Sequence, residues 1–233
     1  MINRLFALWQ RPERGWDPVP DKHARVYAEH EWSHIDYCLI ERLESYIGGF
    51  SGKTVLDLGA GPGHYAVAFA QRGAQVTWYD VSKIYLQIAS QKAAEHRVVL
   101  EFVIGYLDEA YDRLKRQYDL VFNKGCFNYA WAVAPFARII YSLVKPSGYG
   151  YIRTNNAFMG ASQRSLSLKA RYWLYQRLNL KIGHPYPPRG KVPRLLLQYP
   201  IEQMVIDYTL HDRDIIFFKK AGYGDGREIP ASV

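Results

Sequence analysis

Cysteine is scarce in this sequence: 2 among 233 residues, Cys38 and Cys126. Two thiols so far apart build no disulfide framework and show none of the close spacing that holds zinc, so no metal centre is expected. Free thiols suit a reducing compartment, and a cytoplasmic setting is the expectation. Long hydrophobic runs are also missing. The N-terminal apolar stretch Leu5–Trp9 ends in charge and proline, too soon for a signal peptide or for the roughly 20 residues of a membrane span. No internal repeat or low-complexity tract is visible. Acid is absent from one whole segment: residues 151–201 hold nine Lys/Arg and no Asp or Glu, in a chain of net charge +8. A local field of one sign draws in an anionic partner or is simply a solvated face.

What remains is ordinary for a globular α/β domain. Apolar and aromatic residues make up 48% of the chain, and the length suits one domain with a full core.

The organising stretch is TVLDLGAGPGHYAVAFAQRGAQVTWYDVS, Thr54 to Ser82. A short β-type run carries one acid, Asp57, and breaks into a turn at Gly59, Gly61 and Gly63. An alanine-rich helical segment follows, stopped by Gly73, and a second β-type run from Gln75 delivers Asp80. Strand, glycine turn, helix, strand and acid make half of a nucleotide-binding unit. Glycines let the backbone turn sharply and a ligand come close, and the helix start offers free N–H groups. The dinucleotide fingerprint G-x-G-x-x-G would need glycine where His64 stands. A carboxylate at Asp57 also repels phosphate, so a ligand bearing a cation fits better.

DLGAGPG resembles the S-adenosylmethionine motif of class I methyltransferases over residues 50–155. The resemblance implies a doubly wound, mostly parallel seven-stranded α/β sheet that ends in an antiparallel strand pair, with a basic helical insertion after strand 5. It implies S-adenosylmethionine as cofactor, held by Asp57, Gly59, Ala60, Gly61, Gly63, His64, Asp80, Val81, Tyr106, Leu107, Asn123 and Lys124. At the adenine position this chain has Tyr106 where the family carries an acid, leaving the Leu107 N–H or Asp108 to serve.

Along the chain, residues 1–30 read as irregular, with Pro12, Pro18 and Pro20 breaking any helix. Ile35, Leu39, Leu43 and Ile47 mark one amphipathic helix over 31–47. By the resemblance it covers the cofactor, with Tyr27, His30 or His34 facing inward. Ser82 caps a helix to about Glu95. Strands are expected over 99–104, 118–123 and 149–154, the last entered by a Pro146–Gly148 turn, and over 202–209 and 214–219 as the terminal pair. Segments 1–50, 51–156, 157–199 and 200–233 read as covering segment, cofactor core, acceptor lid and sheet-completing hairpin.

The ends of parallel strands face the ligand crevice. Phe127, Tyr129, Trp131 and Asn155 are therefore the candidate acceptor-binding residues, aromatic faces being attractive to a sulfonium. Within 163–181, Leu166, Ala170, Leu174 and Leu178 trace an apolar stripe on a basic helix. His184 and His34 are the candidates for taking a proton from the acceptor. Three functions stay open. One is a methyltransferase for a small, anionic metabolite, working on O or N. Another is a methyltransferase for RNA or for a membrane-linked acceptor, with peripheral membrane contact through 163–181. The third is a cofactor-binding protein without catalysis. The Asn/Asp-Pro-Pro-Tyr/Phe tetrapeptide of amino-nucleobase methyltransferases is absent, which disfavours nucleic acid.

Overall fold

The computed structural model describes residues 7–157, 166–178 and 182–222. Its strands are β1 (Thr54–Leu58), β2 (Gln75–Asp80), β3 (Leu100–Ile104), β4 (Tyr118–Lys124), β5 (Val144–Asn155), β6 (Ile201–Asp207) and β7 (Arg213–Lys220). They form one sheet in the order β3-β2-β1-β4-β5-β7-β6. The first five strands are parallel neighbours, and β7 runs antiparallel between β5 and β6. The expected seven-stranded doubly wound sheet is what the chain builds.

Both faces are covered, so the strands read as near-continuous apolar runs. Val55, Leu120 and Phe122 face one core with Ile40, Leu43, Phe69 and Trp78. Leu56, Leu58 and Val121 face the other, with Phe136, Ile140, Ile152 and Phe218. Each fully buried side chain of this size contributes about 1.5–3 kcal/mol. Gly150 is obligatory at its place in β5: a Cβ there would lie 2.3 Å from the Phe218 ring, its register partner on β7.

The helices are α1 (Asp21–Ser33), α2 (Tyr37–Ile47), α3 (His64–Gln71), α4 (Lys83–Glu95), α5 (Ala110–Leu114), α6 (Val133–Leu143), α7 (Leu166–Leu178) and α8 (Lys191–Leu196). Four expectations need correction. The single helix over 31–47 is two, because the Asp36 carboxylate accepts from the Leu39 N–H and starts a new helix. The irregular segment ends earlier than expected: Pro20 stands at the N-cap of α1, where a missing N–H costs nothing. Pro146–Gly148 does not precede β5. It is a bulge inside it, with Ser147 at φ +59° and the β4 pairing shifting register there. The stripe on α7 faces outward: Leu166 and Leu178 are 81% and 63% exposed, while Tyr172 and Tyr175 are buried. Arg164 and Lys181, the ends of that basic run, lie outside the described residues.

Candidate functional site

The site forms where β1, β2, β4 and β5 end. After β1 the backbone passes through positive φ at Gly59, Gly61 and Gly63, a region that glycine enters without strain. Gly59 and Ala60 donate to the Tyr79 carbonyl at 2.8 and 3.1 Å. The turn's own carbonyls are tied down by two indoles, Trp78 Nε1 to Gly61 O at 2.9 Å and Trp32 Nε1 to Pro62 O at 3.1 Å. A Cβ on Gly59 would meet Cys126 Sγ at 2.2 Å, and one on Gly63 would meet the Ala89 Cβ on α4 at 2.6 Å. Close helix packing, which the dinucleotide fingerprint assigns to a later glycine, thus falls here to Gly63.

Asp80 closes the turn, accepting from the Gly61 N–H at 2.9 Å and the Ser82 N–H at 3.0 Å. Burial pushes its carboxyl up, and those N–H bonds work against the rise. Asp57 is 3% exposed, and its Oδ2 has no hydrogen-bond partner among the described residues. Burial, with help from the Asp80 charge, pushes the Asp57 carboxyl up to about 8, while Lys124 opposes the shift.

Asp57 opens onto a cavity of about 240 Å³, lined also by Tyr27, Glu31, Gly59, Gly61, His64, Tyr65, Lys124, Arg153 and Asn155. That volume is below the roughly 300–1,000 Å³ usual for ligand pockets. Val81, Tyr106 and Leu107 do not line it; they follow β2 and β3 next door. Glu31 reaches His64, with 3.3 Å between Oε2 and Nε2. That contact holds the Glu31 carboxyl down at about 2. Burial lowers His64, and the Glu31 charge only partly offsets it.

Other expected residues divide clearly. Asn123 is buried and donates to Leu58 O at 2.8 Å, bracing β4 against β1. Phe127 is fully buried against Phe136, in the core instead of the cavity. Tyr129 is 56% exposed, with the His184 ring edge-on at 4.9 Å. Trp131 packs against Tyr106. The Trp131 backbone N–H donates to Asp108 at 2.8 Å, so this carboxylate is already engaged and does not swing toward an adenine. His34 is exposed and stacked on His30, away from the cavity.

The N-terminal segment folds back onto the domain through Trp16, as its aromatic residues lead one to expect, while its polar contacts escaped the sequence reading. Trp16 stacks on Tyr106, whose hydroxyl donates to the Gln10 carbonyl, and Arg11 pairs with Glu109. Asp17 accepts from Ser82 Oγ and from the Lys83 and Ile84 N–H groups at 2.9, 2.7 and 3.1 Å, sitting on the N-terminus of α4. Glu31 and Arg153 also went unnoticed. Glu31 lies one helical turn beyond Tyr27, and Arg153 lies two residues before Asn155 on the same strand face, so both spacings were readable.

Residues 55–148 match the family model described as a methyltransferase domain. Over those residues the chain carries a methyltransferase domain. Class I methyltransferases use S-adenosylmethionine, and the residues of this site fit it: an unpartnered buried carboxylate for a cation, beside a turn too tight for side chains. Among curated relatives, the ubiquinone biosynthesis O-methyltransferase of Bordetella avium is 30% identical over 155 residues, covering 66% of this chain and 59% of that protein. The same-named protein of Aeromonas salmonicida is 35% identical over 109 residues, 47% of this chain and 46% of its own length. The chain thus spans about half to three-fifths of the curated relatives it matches. The methyltransferase domain also has the fold of an S-adenosylmethionine-dependent methyltransferase from Clostridium acetobutylicum. There the TM-score is 0.62 at 13% identity, over 87% of this chain and 99% of that one. TehB from Haemophilus influenzae gives 0.58 at 12% identity, over 80% and 62%. At such identities the likeness is one of fold.

Proposed function

We propose that this protein transfers a methyl group from S-adenosylmethionine to a hydroxyl oxygen of a small molecule that carries an anionic group. The observation that carries the reading is the unpartnered Asp57 oxygen, buried where the glycine turn opens onto the cavity. A lone buried carboxylate is costly unless a cation comes to it. The cofactor supplies an electrophilic methyl on a sulfonium. The protein's share is position: Asp57 takes the amino-acid ammonium, Asp80 the ribose hydroxyls, and the Leu107 N–H the adenine edge. His184, brought to Tyr129 by the insertion, takes the acceptor's proton in this reading. The O-methyltransferase relatives support oxygen as the atom methylated. Purified protein with methyl-labelled S-adenosylmethionine and a panel of hydroxylated acids tests it. Label in an ether product is expected; failure of the protein to bind the cofactor in calorimetry would overturn the reading.

A second reading concerns where the acceptor resides. On α7 the exposed Leu166, Trp173 and Leu178 stand among exposed Lys169, Arg171 and Arg177. Apolar anchors ringed by cations suit the surface of an anionic bilayer. Among the described residues, no helix is long and apolar enough to cross a membrane.

A further inference from the structure

We propose that Lys124 and Arg153 form an anion subsite for the methyl acceptor, which makes that acceptor a hydroxylated carboxylate or phosphate. The inference rests on the methyl-transfer reading and goes further by placing the acceptor's charge. The two residues are register partners across β4 and β5 and line the same cavity. Among the described residues neither side chain has a hydrogen bond or ion pair; the Lys124 ammonium lies 4.6 Å over the Tyr65 ring. Burial and the neighbouring Arg153 both disfavour charge on Lys124. Two cations side by side in a half-buried place need an anion between them.

Glu31, Asp36 and Asp57 each favour charge on Lys124, but among the described residues none pairs with it or with Arg153, and Asp36 is held at the start of α2. Glu31 is committed to His64, and Asp57 is reserved for the cofactor's ammonium. Asn155, two residues beyond Arg153 and lining the same cavity, adds an amide donor. A planar guanidinium beside an amide suits the paired oxygens of a carboxylate or phosphate. Two sources of that anion are possible, the acceptor or the cofactor's own carboxylate, and the experiment separates them.

Protein loaded with S-adenosylhomocysteine is titrated by calorimetry with 3,4-dihydroxybenzoate and with catechol, its uncharged counterpart. In the native protein the acid is expected to bind at least about tenfold more tightly. R153Q should erase that preference while S-adenosylhomocysteine affinity stays within about twofold, and R153K should restore part of it. Equal binding of acid and catechol by the native protein overturns the proposal. So does an R153Q loss of S-adenosylhomocysteine affinity as large as its loss of the acid, because the pair would then hold the cofactor. If S-adenosylhomocysteine fails to bind at all, the methyl-transfer reading falls first. A thermal upshift of the native protein by inorganic phosphate, missing in R153Q, then still supports the anion subsite, and its absence overturns it.

Discussion

Asp57→Asn is expected to make the cofactor-free protein more stable and worse at binding. The Asp57 carboxyl sits at about 8 in the folded chain against 3.8 for the ordinary group, with burial the largest cause. As pH rises from 3.8, the unfolded chain releases this proton while the folded one retains it. Stability therefore falls through that window and levels off above about 8. Each pH unit per proton is worth about 1.36 kcal/mol, so the full window comes to on the order of 5 kcal/mol. Asparagine has no proton to lose, and its carbonyl can still accept the Ala66 N–H that Asp57 uses. At roughly 2–4 °C per kcal/mol for a chain of this size, the variant should melt about 10 °C or more above the native protein at pH 8, and close to it at pH 4. Calorimetric melts across that range measure the difference. Melting profiles that run parallel from pH 4 to pH 8 would refute the argument. The same reasoning has the native protein release close to one proton on taking up S-adenosylmethionine at neutral pH, because the arriving ammonium favours the ionised carboxyl. Titration in buffers of differing ionisation heat reads that proton, and Asp57→Asn should abolish it.

Asp80→Ala removes the acceptor of the Gly61 and Ser82 N–H groups as well as the proposed ribose contact. Cofactor affinity should drop by at least about a hundredfold, since bonds to a charged group are worth roughly 1.5–3 kcal/mol each; unchanged affinity in calorimetry would remove Asp80 from the site. For the membrane reading, flotation with liposomes of anionic lipid should carry the protein upward at low salt, and Trp173→Ser together with Arg177→Glu should reduce the recovered fraction several-fold. Equal recovery with neutral lipid would count against it.

Much of the candidate site was legible because its signals are local. The glycines of DLGAGPG sit at positive φ within five residues, and Asp80 follows at the end of a short, continuously buried strand. The Ser82 cap was readable for the same reason. What escaped depends on contacts far apart in sequence: Asp17 meets α4 across 65 residues or more, and Lys124 meets Arg153 across two strands and a helix. The α7 error has another cause. That helix is apolar on more than one face, so spacing alone does not choose between Leu166–Leu178 and Tyr172–Tyr175; packing against Tyr186 and Lys191, which follow it in the chain, chooses the tyrosines. The break between α1 and α2 came from a single side chain. Asp36 outweighed a hydrophobic period that ran straight through it.

Asp17 has a consequence for ligand choice. The crown of amides that opens α4, where a phosphate would find its welcome, is already quenched by the chain's own carboxylate. A coenzyme phosphorylated on the ribose would meet two negative charges there, Asp17 and Asp80, and few spare donors. Such coenzymes would find little there to hold, whereas an unphosphorylated adenosyl group would call on none of those amides.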